Sequence, residues 1–179
     1  FDSLEAFNRK FVDENSIRLY MVNNPKKLSV KNLSITAVEI SNHPIKDMGK
    51  RKIDVDGYFY ISGEDAQNIK EGEQIRLLGL GNILITKQGE EMEGEYVKDG
   101  DIKGVPKIQW VSQKTAHQIK IIIPKILFID EKFNEDSLEE MNVYCEPHYL
   151  QLKEGEEIQF IRFGYCRKDS QNQAIFTHK

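Results

Sequence analysis

One block of this chain occurs twice, and the repeat limits the folds open to it. Ile69-Lys70-Glu71-Gly72-Glu73-Gln74-Ile75-Arg76-Leu77-Leu78-Gly79-Leu80-Gly81 returns as Leu152-Lys153-Glu154-Gly155-Glu156-Glu157-Ile158-Gln159-Phe160-Ile161-Arg162-Phe163-Gly164. In each copy a Lys-Glu-Gly-Glu turn leads into an apolar strand that closes on a glycine. Agreement over a whole turn and strand points to duplication. Two copies at this separation imply two small β-units rather than a short-period solenoid. The copies differ at polar positions: Arg76 is matched by Gln159, and Gly79 by Arg162. A shared scaffold with different polar side chains suits specialised binding surfaces.

A length of 179 residues allows one ordinary domain or two small ones, and the repeat favours two. Hydrophobic residues make up 39% and charged residues 30%, the balance of a soluble globular chain. No apolar run approaches the ~20 residues that span a bilayer, so no membrane partner is expected. The chain opens Phe1-Asp2-Ser3 with neither methionine nor signal pattern, which reads as a piece of a longer protein. Cys145 and Cys166 form no Cys-x-x-Cys pair and read as reduced, partly buried thiols of a cytoplasmic protein.

Residues 3–14 carry a helical pattern. Asp2 and Glu5 make a capping-box-like start, and Leu4, Phe7 and Phe11 share one face. Short strands follow, among them Arg18–Val22, Lys27–Val30, Ile35–Ile40, Tyr58–Ser62, Gln74–Leu78, Ile83–Thr86 and Ile108–Val111. In the second half they include Gln118–Ile123, Asn142–Cys145, Ile158–Phe163, Tyr165–Lys168 and Ala174–Thr177. Many short strands after one helix predict a mainly β chain of small antiparallel barrels. Lys87–Lys107 is acidic and polar, and reads as a long hairpin arm or mobile loop.

Net charge is −4, which argues against indiscriminate nucleic-acid binding, and DNA is not an expected partner. Residues 16–60 are nevertheless basic, while residues 64–101 lean acidic. A basic stripe on an acidic protein can make directional phosphate contacts. His43, His117, His148 and His178 are scattered, none at metal-ligand spacing, and Gly79-Leu80-Gly81 opens no helix as a phosphate loop would. With no nucleophile elbow and no recognisable carboxylate pair, the chain is expected to bind without catalysing, and to need no metal or cofactor itself.

Five segments in order resemble one family. They are Asn8-Arg9-Lys10, Arg18-Leu19-Tyr20-Met21-Val22-Asn23-Asn24-Pro25-Lys26-Lys27-Leu28, and Asn42-His43-Pro44 with Met48-Gly49-Lys50-Arg51. The others are Ile108-Gln109-Trp110-Val111-Ser112 and Gln159-Phe160-Ile161-Arg162-Phe163-Gly164-Tyr165. Together they resemble the C-terminal anticodon-binding region of archaeal and eukaryotic glutamyl-tRNA synthetases, a region related to that of the glutaminyl enzymes. The resemblance implies two β-barrels with exchanged strands, gripping the anticodon arm of tRNA(Glu). Approximate divisions are a helical lead-in over 1–17, a first barrel with the acidic arm over 18–107, and a second over 108–179. ATP and Mg2+ would serve the full-length ligase, whose catalytic motifs are not in this sequence. The same region of a glutaminyl-tRNA synthetase, or a barrel protein binding ribosomal RNA, are the alternatives.

The resemblance also implies residue roles. In the glutaminyl relatives an arginine, a glutamine and a second arginine meet the middle anticodon uridine; the matching positions here are Arg18, Gln159 and Arg162. Their chemistry suits a splayed base, because a glutamine both donates and accepts while arginines donate to carbonyls. Strict alternation separates residues 159 and 162 onto opposite faces, so a strand end or bulge is expected between them. Arg9, Lys10, Lys26, Lys27, Lys50 and Arg51 are candidate contacts to the tRNA backbone.

Overall fold

The computed structural model describes residues 10–179. Arg9 and the expected helical residues Leu4 and Phe7 lie outside the described residues; 10–15 are helical, with Phe11 exposed. The rest is mainly β, in two seven-stranded sheets and two two-stranded ribbons, Ala37–Ser41 with Lys50–Asp54 and Phe128–Ile129 with Lys132–Phe133. The middle sheet runs, edge to edge, Lys107–Ile108, Gln74–Leu77, Gly81–Lys87, Glu91–Val97, Lys26–Lys31, Tyr58–Ile61 and Trp110–Ser112. The terminal sheet runs Ile17–Leu19, Glu157–Phe160, Gly164–Ser170, Gln173–His178, His117–Pro124, Leu138–Cys145 and Met21–Asn23. One curls into a nearly closed barrel and the other into a half-barrel.

The repeated block builds the same hairpin in both sheets. Glu73 N donates to Lys70 O at 3.1 Å, as Glu156 N does to Lys153 O at 3.2 Å. Gly72 and Gly155 both hold positive φ, 85° and 87°, which a glycine adopts without steric cost. The strands then alternate: Ile75 and Leu77 are fully buried, as are Ile158 and Phe160. Strand neighbours match as well. In each sheet the hairpin is followed by a third strand, which runs parallel to the first strand of its own unit. Duplication is therefore written in topology and in turn geometry alike.

The two units exchange a strand. Residues 17–23 precede the middle unit yet lie in the terminal sheet, parallel to Glu157–Phe160 on one edge and antiparallel to Leu138–Cys145 on the other. Residues 107–112 precede the terminal unit yet make the equivalent pairings in the middle sheet. The apolar run Leu19-Tyr20-Met21-Val22 suits this position. Leu19 and Met21 enter the terminal core, whereas Tyr20 and Val22 enter the middle one. A strand buried on both faces needs no polar alternation.

Several expectations change. Exchange and return strands make four parallel pairings, so both sheets are mixed rather than purely antiparallel. The acidic segment is no arm over most of its length. Glu91–Val97 is an internal strand between Lys26–Lys31 and Gly81–Lys87, with Met92 buried, and only 88–90 and 98–106 are irregular. Its glutamates face lysines, Lys27–Glu91 at 3.3 Å, Lys31–Glu93 at 3.6 Å and Lys87–Glu93 at 3.5 Å. A short helix, Gly63–Asn68, is capped by Ser62, whose hydroxyl accepts from Asp65 N at 3.1 Å.

Candidate nucleic-acid interface

Arg18 and Gln159 are register partners in the parallel pairing that inserts the exchanged strand. Their neighbours Leu19, Ile158 and Phe160 point into the terminal core, so Arg18 and Gln159 share the opposite face. The row continues across the sheet, because Gln159 pairs with Tyr165 and Tyr165 with His178. The Tyr165 and His178 rings stack with centroids 4.5 Å apart. Tyr165 is buried, so the part of the row open to an unstacked base is the half-buried Arg18 and Gln159.

Asp13, at the end of the leading helix, organises this row. One of its carboxylate oxygens accepts from Arg18 Nη2 at 3.2 Å and also from the Tyr165 hydroxyl. The Tyr165 hydrogen bond does most to hold the Asp13 carboxyl below its ordinary value; burial pushes the other way, and Arg18 and His43 add to the lowering. His43 secures the helix end. Its Nδ1 accepts from the backbone of Ile45 and Lys46, which leaves Nε2–H to donate to Asp13 O at 2.9 Å. Asp13 and Tyr165 were not singled out from sequence. Their partners are 5 and 152 residues away, and no local pattern encodes the second.

Arg162 sits elsewhere. The strand ends at Phe160, and Arg162 occupies the following turn at φ 66°. The first copy uses Gly79 there, at φ 73°. A long charged residue in left-handed backbone is the kind of strain found at functional positions. Its guanidinium reaches across to the middle unit, meeting both Asp65 oxygens at 3.2 and 3.3 Å and the carbonyl of Lys107. It lines a cleft of about 340 Å³ between the units, shared with Asp65, Gln109 and Phe163. The structure thus joins Arg18 to Gln159, while Arg162 is tethered over this cleft.

Among the candidate backbone contacts, Lys10 and Lys50 are exposed, Lys26 is half-buried and Lys27 is exposed beside Glu91. Arg51 requires correction, since it faces inward. Its side chain is 1% exposed and forms a bidentate pair with the equally buried Glu146 of the terminal unit. It also covers the Tyr20 ring, 5.3 Å from the centroid. A buried, paired guanidinium cannot meet a phosphate, so Arg51 is a structural tie between units. Among the described residues no His, Cys, Asp and Glu side chains gather as a metal site. Nor is any helix among them long and apolar enough to cross a membrane.

Two family models match this chain, both described as the anticodon-binding domain of class I (E and Q) tRNA synthetases, one over residues 16–103 and the other over 107–169. The chain belongs to this family. Glutamate–tRNA ligases from three archaea are similar to this anticodon-binding domain. That of Nitrosopumilus maritimus is 72% identical over 179 residues, covering 100% of this chain and 32% of the relative. Those of Cenarchaeum symbiosum and Korarchaeum cryptofilum are 48% and 29% identical, over 99% and 98% of this chain and 32% and 30% of theirs. The chain spans about a third of the length of the curated relatives it matches.

Proposed function

We propose that this chain is the tRNA-binding part of a glutamate–tRNA ligase, and that it holds the anticodon arm of tRNA(Glu) in the cytoplasm. The similarity to glutamate–tRNA ligases along the whole chain supports the glutamate reading over the glutaminyl one and over a ribosomal-RNA protein. ATP, Mg2+ and the aminoacylation step belong to the remaining two-thirds of such an enzyme. The observation that carries the binding site is the register pairing of Arg18 with Gln159 on a face turned from the core. There an amide and a guanidinium can meet the edge of the middle uridine together, with Arg162 closing from the neighbouring turn. Lys10, Lys26, Lys27 and Lys50 serve as phosphate contacts.

The test is affinity for anticodon stem-loops carrying each base at the middle position, at fixed salt. A side chain reading a base edge contributes on the order of 1–3 kcal/mol of discrimination, by analogy with DNA readout. Arg18→Ala and Gln159→Ala are expected to lose the preference for uridine, whereas Lys50→Ala weakens all four stem-loops alike and lowers the salt slope. Variants at Arg18 and Gln159 that keep the wild-type ranking of bases would overturn the assignment.

A further inference from the structure

Asp13 and Arg18 belong to different elements, the leading helix and the exchanged strand, yet one turn fixes both. Asn42 O accepts from Arg18 N at 2.7 Å, and the neighbouring His43 holds Asp13 O through Nε2 at 2.9 Å. Asn42 and His43 are 7% and 4% exposed, so this mount is part of the packed structure. The guanidinium is aimed by the bond from Nη2 to Asp13 Oδ1, because Nε is buried and has no acceptor among the described residues. The same carboxylate oxygen accepts from the Tyr165 hydroxyl. The pair stays open to a ligand, with the Arg18 side chain 29% and the Asp13 side chain 40% exposed.

A carboxylate is an unexpected neighbour at a surface that receives a polyanion. A bare arginine beside RNA bonds an ionised phosphate oxygen in preference to a neutral base carbonyl, because both partners are then charged. Asp13 cancels the net charge of Arg18 and repels any phosphate that approaches the pair. The remaining N–H groups keep their direction, and a neutral carbonyl meets them without that repulsion. Specificity is a difference between affinities, and a repulsive group raises it as an attractive one does. The repeated scaffold does not demand the carboxylate. In the middle sheet the corresponding register pair is Arg76 with Lys107, and Arg76 Nη1 donates instead to the neutral Asn82 Oδ1 at 2.8 Å.

We propose that Asp13 is a positioning residue that reserves Arg18 for a base edge by excluding phosphate from it. The proposal rests on the anticodon-binding reading and adds to it a specificity determinant that need touch no base. Exclusion of phosphate lowers overall affinity for RNA, and that loss makes the role measurable.

The experiment measures affinity for anticodon stem-loops with each of the four bases at the middle position, over a range of salt concentrations. Asp13→Asn removes the charge and keeps the geometry, since an amide oxygen can still accept from Arg18 and Tyr165. It is expected to bind all four stem-loops more tightly at low salt and to lose most of the uridine preference. Its salt slope should steepen by about 0.7, the share of one phosphate on a single strand. Tyr165→Phe removes a hydrogen bond and keeps the charge, so its slope should match the wild type. A steeper slope there would trace the effect to loosening rather than to charge and overturn the proposal. In the Arg18→Ala background, Asp13→Asn should leave the slope unchanged, because the gained phosphate contact runs through Arg18. An equal gain in that background would make Asp13 ordinary surface charge and overturn the proposal, as would a wild-type slope and base ranking in Asp13→Asn alone. These results leave the anticodon-binding reading standing as long as Arg18→Ala loses the uridine preference. If Arg18→Ala keeps it, that reading fails and this proposal with it.

Discussion

Replacing Glu146 with alanine isolates the tie between the two units. The carboxylate accepts from Arg51 Nε, from Arg51 Nη2 at 3.0 Å and from Tyr20 N at 3.0 Å, with both side chains 1% exposed. Glu146→Ala leaves a buried guanidinium whose other acceptors are Ser41 O at 3.0 Å and Asn42 Oδ1 at 3.4 Å. Removing one partner of a buried pair costs about 3–5 kcal/mol. The Tyr20 N–H, orphaned at the same time, pushes the cost toward the upper end. For a chain of this size, at ~2–4 °C per kcal/mol, the melting temperature should fall by roughly 6–20 °C. The paired variant Arg51→Met with Glu146→Leu removes both charges and leaves only that N–H unsatisfied, so it should cost about 1–3 kcal/mol. Urea unfolding of Arg51→Met, of Glu146→Leu and of the pair gives the coupling directly. A paired variant as unstable as Glu146→Ala would refute the reasoning, because stranded charge would then not be the source of the loss.

Arg162→Gly should leave stability unchanged or raise it by up to ~1 kcal/mol, since glycine relieves the left-handed backbone at φ 66°, while tRNA binding falls. Urea midpoints together with stem-loop affinity measure both, and a large destabilisation would show that Arg162 is scaffold. The Asp13 carboxyl lies below its ordinary 3.8 in the folded chain, so its contribution is complete above that value and is lost as pH falls through the lower folded one. Carboxyl titration by NMR should show this, and Asp13→Asn should flatten the stability profile below about pH 4. Burial raises both thiols, Cys166 to about 12, so neither should react with a thiol reagent at pH 8 until the chain unfolds.

Much of the fold was legible because its signals are local. The Lys-Glu-Gly-Glu turns, the alternation of Ile75 with Leu77 and of Ile158 with Phe160, and the closing glycines each state a hairpin within a dozen residues. The five family-like segments carried the rest, and the type of Arg18 and Gln159 along with them. The strand Glu91–Val97 was also written there, since Met92, Gly94 and Tyr96 alternate with three glutamates. Its charge masked a period of two. Other features depend on partners far along the chain. Nothing local tells residues 17–23 to join the terminal sheet, or marks Arg51 as buried when the residue that neutralises it is Glu146, 95 positions away. A lysine- and arginine-rich stretch reads as surface until a buried carboxylate is placed beside it. Likewise Arg162 differs from an ordinary polar residue only through the backbone turn and the cleft that the exchange creates. Sequence set the units and their strands, because those rest on neighbours in the chain. The site was decided by which unit each exchanged strand entered, because that choice brings residues together across the whole length of the molecule.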